Sequence, residues 1–367
     1  MKKALLILTA LLAIACIAAL PFLCTHSDIL PEVSTAYYDY KAKEEALTAT
    51  GPEAELMRLL TGLTADTKLE PVSTPIQFST FGLYLGVGAV VAILLLLWLT
   101  RKQTSLRQAL LWTAALAVPF GLIGARLVYC LVNISFYLHA ISAPEAMLKI
   151  WEGGLSLGGA LAFIVLAGVI GAKIGKAPIG HVLDAMAAPM IWMVVAVAIA
   201  VQTITMGFGP EINGSFMAVA VNSAQRLNTA ALMMPVMWLV LIAAELLAGK
   251  NAPAGQHFAL YTFLYGSVMI LLESLREDGH MVWGFVHAEM IFDLVFALAA
   301  LLYLAKTKKR ILLSLLMTAM LAGAVVGLEF ALDRSNIGDG LLYAAYAVVL
   351  GGYITFGCVC AKKRLAA

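Results

Sequence analysis

Long apolar runs, each closed by a short cluster of polar, glycine or proline residues, recur along nearly the whole chain. A helix needs about 20 mostly apolar residues to cross a bilayer. Ten stretches meet that length: roughly 4–23, 78–99, 108–131, 156–173, 182–206, 229–248, 258–275, 282–305, 311–331 and 341–360. The pattern predicts an all-α, polytopic integral membrane protein with about ten transmembrane helices. Residues 25–74 interrupt it and are polar enough for an external loop. Within them, 42–63 has helix-forming composition broken at Gly51-Pro52, which predicts a short surface helical hairpin. No low-complexity tract and no internal repeat is evident, so an inverted-repeat transporter gains no support.

Composition sharpens the picture. Of the 367 residues, 62% are hydrophobic and 13% charged, with a mean hydropathy of +0.92. Soluble domains average about 45–50% apolar and about 25% charged. A soluble enzyme, a nucleic-acid binder and a disordered chain are therefore excluded. The net charge of +2 matters less than where the charges lie. With the amino terminus inside, the cytoplasmic turns and tail collect 15 of the 24 Lys and Arg residues, among them Lys2, Lys3, Arg101, Lys306 and Arg364. The bias toward cytoplasmic basic residues then predicts both termini inside. Lys2-Lys3 before an apolar run also fits a signal peptide, and 13–16 faintly fits a lipoprotein cleavage site. The apolar run continues to Leu23, too long for a signal core, which favours an uncleaved anchor over 1–24. The five cysteines show neither metal-ligand nor disulfide spacing, and no metal or cofactor is expected.

Ionisable groups within a bilayer are costly, about 2.5–3.5 kcal/mol each, and mark functional candidates. Arg126, Glu245, Glu273, Arg276, Glu289 and Asp293 fall in this class. Arg126 fits either a site or a snorkelling side chain. Glu273 and Arg276, spaced i, i+3, fit either a site or an interfacial ion pair, and Glu245 fits an interfacial position. Glu289 and Asp293 are spaced i, i+4 on one face of the eighth run, about 10 and 16 Å below its outer end at 1.5 Å per residue. That arrangement points to a bundle-facing polar cavity, or else to a buried hydrogen-bonded pair. His287, two residues before Glu289, faces away from it. Gly153-Gly154 and Gly158-Gly159 follow Trp151 where the chain re-enters the membrane. Glycine pairs there suit positive φ, close backbone approach, or a lipid head-group contact.

In order, these features resemble the bacterial prolipoprotein diacylglyceryl transferases. Residues 75–83 (PIQFSTFGL) are similar to the entry into that family's first helix. Gly124-Ala-Arg-Leu-Val-Tyr129 is similar to its G-[GA]-R-x-x-Y. Residues 144–156 (PEAMLKIWEGGLS) are close to P-x-x-x-x-x-x-W-x-G-G-[LM]-[SA]. Residues 264–276 (LYGSVMILLESLR) resemble L-Y-G-x-x-R-x-x-x-E-x-x-R. The resemblance implies a seven-helix core over 75–305, with an anchor (1–24), an external loop or cap (25–74) and two added helices (306–367). It implies a multi-pass protein of the bacterial plasma membrane that moves diacylglyceryl from phosphatidylglycerol, an anionic phospholipid, to the lipobox cysteine of a preprolipoprotein. It places Arg126, Tyr129, Trp151, Gly153, Gly154, Ser156, Tyr265 and Arg276 around the lipid and leaves Arg126, Glu273 and Arg276 as catalytic candidates; Glu289, Asp293 or His287 is the candidate for a new base, with Glu289 the catalytic candidate among them.

The chain departs from the family pattern where that chemistry resides. The Tyr of its Y-G-L is Phe81, the His before its second Gly-Gly is Gly158, and the Arg of Y-G-x-x-R is Met269. The family's Arg-x-x-Asn should fall near 196–204, yet no Lys or Arg lies between Lys176 and Arg226, and the nearest Asn is Asn213. Glu289 stands near a position where the family commonly has Gln. Charge-assisted hydrogen bonds contribute about 1.5–3 kcal/mol each. Losing two weakens phospholipid binding by roughly two to four powers of ten. Three readings follow: a divergent transferase, a non-catalytic lipid- or lipoprotein-binding member, and a proton-coupled carrier using Glu289 and Asp293.

Overall fold

A computed structural model of the chain describes residues 79–140, 144–150, 153–204, 206–212, 217–221, 224–249, 252–335 and 337–365, with a few helical positions between 7 and 18. The expected anchor over 1–24 and the loop over 25–74 lie essentially outside the described residues. Nine α-helices are described: α1 (Thr80–Leu99), α2 (Arg107–Val132), α3 (Leu157–Gly175), α4 (Ile179–Val201), α5 (Thr229–Ala248), α6 (Gln256–Ser274), α7 (Glu289–Leu304), α8 (Lys308–Arg334) and α9 (Asp339–Leu365). Seven of them, all but α6 and α7, are long and apolar enough to cross a membrane. Gln256, His257 and Glu273 dilute the hydropathy of α6, and α7 has only 16 residues.

The short α7 corrects the expected span over 282–305. Residues 282–287 instead form a two-stranded hairpin, β4 (Val282–Trp283) against β5 (Val286–His287), turning through Gly284 at φ +64°. Glu289 therefore opens α7 in its first turn, rather than lying some 10 Å down a longer helix. A second set of strands was also not evident from hydropathy. Between α4 and α5, β1 (Phe208–Glu211), β2 (Ala218–Val221) and β3 (Ala224–Asn228) form an antiparallel sheet ordered β1-β3-β2.

Small residues and caps set the helix packing. Gly124 of α2 and Gly159 of α3 bring two backbones together: a Cβ on either would lie 2.5 Å from the other's carbonyl oxygen. Close approach of this kind is how membrane helices gain packing energy when lipid is as apolar as their side chains. Ser79, Ser156 and Asn228 cap α1, α3 and α5 by accepting from amides three residues on. Asp184 of α4 caps a different helix, accepting from Gly255 N at 2.6 Å and Phe258 N at 2.8 Å at the start of α6. The main core runs from α4 to α9 and includes Leu260, Phe263, Met269, Leu301, Tyr346 and Tyr353. Outward-facing Leu94, Ile123, Leu239 and Val348 stay exposed, as a lipid-facing surface requires.

Candidate functional site

Helices α1 to α4 enclose a cavity of about 210 Å³, with α5, α6 and α7 closing one end. Its walls are apolar, including Leu85, Ala89, Val118, Ile164, Met190 and Val197. From Phe81 to Leu96 it follows 15 residues of α1, about 22 Å at 1.5 Å per residue. That exceeds the roughly 15 Å of one leaflet's hydrocarbon, half of a core about 30 Å thick. The polar end gathers Ser156, Glu273, Arg276, His280 and Glu289.

Glu289 reaches across to α3. Its Oε1 accepts from Leu157 N and its Oε2 from Gly158 N, both at 2.9 Å. A helix N-terminus presents unpaired amides and partial positive charge, so a carboxylate fits there. Gly158 makes room for it: a Cβ at that position would stand 2.7 Å from Glu289 Oε2 and equally close to Phe292. The space beside Gly158 is thus filled by a carboxylate delivered from another helix, which sequence spacing did not reveal. Asp293, one turn later, does not line the cavity. It packs toward α6 at Gly266, with Oδ2 lacking a hydrogen-bond partner among the described residues.

Arg276 follows the end of α6 and lies between two carboxylates. Nη1 donates to both Glu273 oxygens, at 3.1 and 3.0 Å. Nε and Nη2 donate to Asp278 Oδ2, at 3.1 and 2.7 Å. The Asp278 oxygen also accepts from Gly207 N at 2.7 Å, tying the turn after α6 to the strand region after α4. Burial on its own would raise the Asp278 pKa, but the Arg276 guanidinium and these hydrogen bonds hold it at about 2. His280 stacks on Tyr129, ring centroids 5.7 Å apart. Burial, and then the nearby Arg276 charge, lower its pKa to about 4, so the ring is neutral at pH 7. Asp278 and His280 were absent from the candidates read in the sequence. Their only signal was a polar Asp-Gly-His triplet two residues beyond Arg276.

Arg126 lies apart from the cavity and is only 6% exposed. It donates to the carbonyls of Ala146 and Met147 at 2.8 Å, to Gly154 at 3.2 Å and to Gly153. It organises the 144–154 loop and does not snorkel. Gly153 and Gly154 have φ of +80° and +74°. A Cβ on Gly154 would collide with the Tyr129 ring at 2.3 Å and with Arg126 Nη1 at 2.8 Å. Trp151 and Asn213 lie outside the described residues. Tyr265 borders a separate void of about 40 Å³ beside Phe296. Glu245 pairs with Tyr261 at the far end of α5. Of the expected lipid-contact residues, the structure brings Ser156 and Arg276 to the cavity, and Tyr129 only through His280.

A family model described as prolipoprotein diacylglyceryl transferase matches residues 71–306. The chain belongs to that family. The phosphatidylglycerol–prolipoprotein diacylglyceryl transferase 2 of Streptomyces coelicolor is 29% identical over 218 residues, covering 56% of this chain and 67% of that protein. The enzyme named phosphatidylglycerol–prolipoprotein diacylglyceryl transferase in Corynebacterium efficiens is 27% identical over 266 residues, covering 64% and 80%. The matched stretch spans α1 to α7, so α8 and α9 are additions to the diacylglyceryl transferase core. They pack behind the site: Tyr343 donates to the Ser274 carbonyl at 3.1 Å, and Tyr346 to Glu329 at 3.0 Å. The chain is a divergent, all-α, bacterial membrane member with transferase-like features.

Proposed function

We propose that this chain is a lipid-holding member of the diacylglyceryl transferase family, which seats a diacyl glycerolipid in the α1–α4 cavity without transferring diacylglyceryl from phosphatidylglycerol. The observation that carries this is the accounting of cations at the cavity's polar end. Among the described residues lining it, Arg276 is the only cation, and its guanidinium is held between Glu273 and Asp278. Arg126 is committed to loop carbonyls, and Arg226 pairs with Glu277 at 2.6 Å outside the cavity. A phosphate site normally offers guanidinium donors that are free to bind it. In this reading the polar end faces the outer side, with both termini cytoplasmic, 75–305 as the lipid-binding core and 25–74 as a cap.

Complementation of cells depleted of their own diacylglyceryl transferase tests the proposal, together with an assay of purified protein on phosphatidylglycerol and a lipobox peptide. The expected result is lipid co-purification with no thioether-linked diacylglycerol on the peptide. Product formation from the full chain would overturn it. That outcome would establish a second reading, a divergent transferase. On the α2 wall of the cavity the polar side chain is Thr113, and its hydroxyl is spent on the Ala109 carbonyl. This counts against a proton-coupled carrier.

A further inference from the structure

The end of the cavity remote from Glu289 sets what length of chain it takes. We propose that the cavity holds one extended acyl chain of a glycerolipid, its terminal methyl on a closed floor at Leu96, Ala114 and Met186, and so selects chains of about 16–20 carbons. The inference rests on the reading of the cavity as a lipid site and deepens it.

Small residues make the slot. Helix α1 contributes Ala89 and Ala92, and α2 contributes Ala114, Ala117 and Gly121. Their short side chains leave a channel beside the α1 stretch from Phe81 to Leu96, about 22 Å long. Extended backbone advances at most about 3.6 Å over three bonds, or about 1.2 Å per bond, and an extended alkyl chain advances about as much. About 18 carbons therefore span the slot. The volume fixes the number of chains. A water-sized group needs about 10–15 Å³ of cavity, and a methylene is of that size. The 210 Å³ of the cavity has room for roughly 14–21 methylenes, which is one chain and not two. Length and volume lead to the same chain, and the lipid's second chain stays in the bilayer.

The floor is closed. Leu96, Ala114 and Met186 line the cavity and also belong to a packed cluster with Leu106, Leu110 and Val182, none of them more than 8% exposed. Thr113 beside them has its hydroxyl on the Ala109 carbonyl, so a terminal methyl meets apolar contacts there. A chain too long for the slot must displace close-packed side chains, and one too short leaves a void. The side walls are more forgiving. Met190, Met193 and Met233 are unbranched and adapt to an irregular neighbour. Length is read at the floor, while a bend in the chain is tolerated along the way.

Native mass spectrometry of the purified full-length protein in detergent tests this, using an equimolar mixture of saturated diacylglycerols of about 12 to 24 carbons per chain, a range that brackets the slot. Each variant is compared with the unaltered protein in the same mixture, so partition into the micelle cancels. The unaltered protein is expected to favour about 16–20 carbons, by at least about tenfold over both ends of the series. Ala92→Phe, one turn above Leu96, is expected to shorten the preferred chain by about five carbons, and Ala89→Phe by about nine. Leu96→Ala lowers the floor and is expected to lengthen it by about two to three carbons. Stearoyl and oleoyl lipids are expected to bind within about threefold of each other. Lipid binding that these substitutions weaken without any preferred length, or without moving one, would overturn this inference and leave the cavity reading intact. No lipid bound by the unaltered protein, or a profile that none of the three substitutions changes in length or amount, would overturn the cavity reading and this inference with it.

Discussion

Replacing Arg126 with Gln separates a loop organiser from a ligand-binding arginine. In the folded protein its guanidinium donates to the carbonyls of residues 146, 147, 153 and 154, joining the two ends of one loop to α2. Each charged hydrogen bond contributes about 1.5–3 kcal/mol. Gln retains one amide group and reaches at most one side. Loss of two to three such bonds, softened by water entering the opened loop, gives an expected local cost of about 3–5 kcal/mol. That raises the population of the open loop by roughly two to four powers of ten. Lys149 lies within the loop, so trypsin cleavage after Lys149 reads this opening directly. Arg126→Gln is expected to be cut there far faster than the unaltered protein, with cleavage in the cytoplasmic turns unchanged. Arg126→Lys is expected to fall between them, because an ammonium cannot span both carbonyl pairs. Unaltered protection of Lys149 in Arg126→Gln would refute the assignment of Arg126 as the loop's organiser.

Other perturbations have expected outcomes set by the same geometry. Neutral His280 has a folded pKa of about 4 against an ordinary value of 6.5, so the unfolded state binds the extra proton first. Its contribution, on the order of 3 kcal/mol, is complete above pH 6.5 and lost as pH falls toward 4. Melting in detergent should show that loss between those values, and His280→Phe should flatten it. Gly158→Ala is expected to destabilise by about 1–3 kcal/mol through overpacking against Glu289 and Phe292, seen as a lowered melting temperature. Asp278→Asn removes a fully buried partner of Arg276 and should cost about 3–5 kcal/mol. Asp293→Asn, with no ion pair to lose among the described residues, should leave the melting temperature unchanged or raise it.

Hydropathy alone made the helices legible, because membrane spans are long and their apolar runs continuous. It failed where a short element borrowed apolar residues: Val282, Trp283, Phe285 and Val286 extended the eighth run on paper, yet they form a hairpin turned at Gly284. The candidate ionisable residues were visible as rare charges in apolar surroundings. Their assignments were not, since hydrogen-bond partners come from distant segments. Glu289 meets amides 131 and 132 residues away, and Arg126 meets carbonyls 20 to 28 residues on. Asp184 lay inside an apolar run and drew no notice, although it caps α6 as Glu289 caps α3. His280 was invisible for the opposite reason, since it sits in a polar turn where a histidine is unremarkable until its neighbours are known.

The fit between Gly158 and Glu289 has an evolutionary consequence. A side chain at 158 and a carboxylate at 289 compete for one volume, so neither position can change to the other arrangement without a damaged intermediate. A bulky residue introduced at 158 alone meets Glu289, and loss of Glu289 alone uncaps α3. A larger residue at 158 together with a smaller one at 289 therefore takes two substitutions, each harmful on its own. Such coupling holds a lineage where it is, and chains that share this arrangement are expected to carry Gly at 158 and an acidic residue at 289 together.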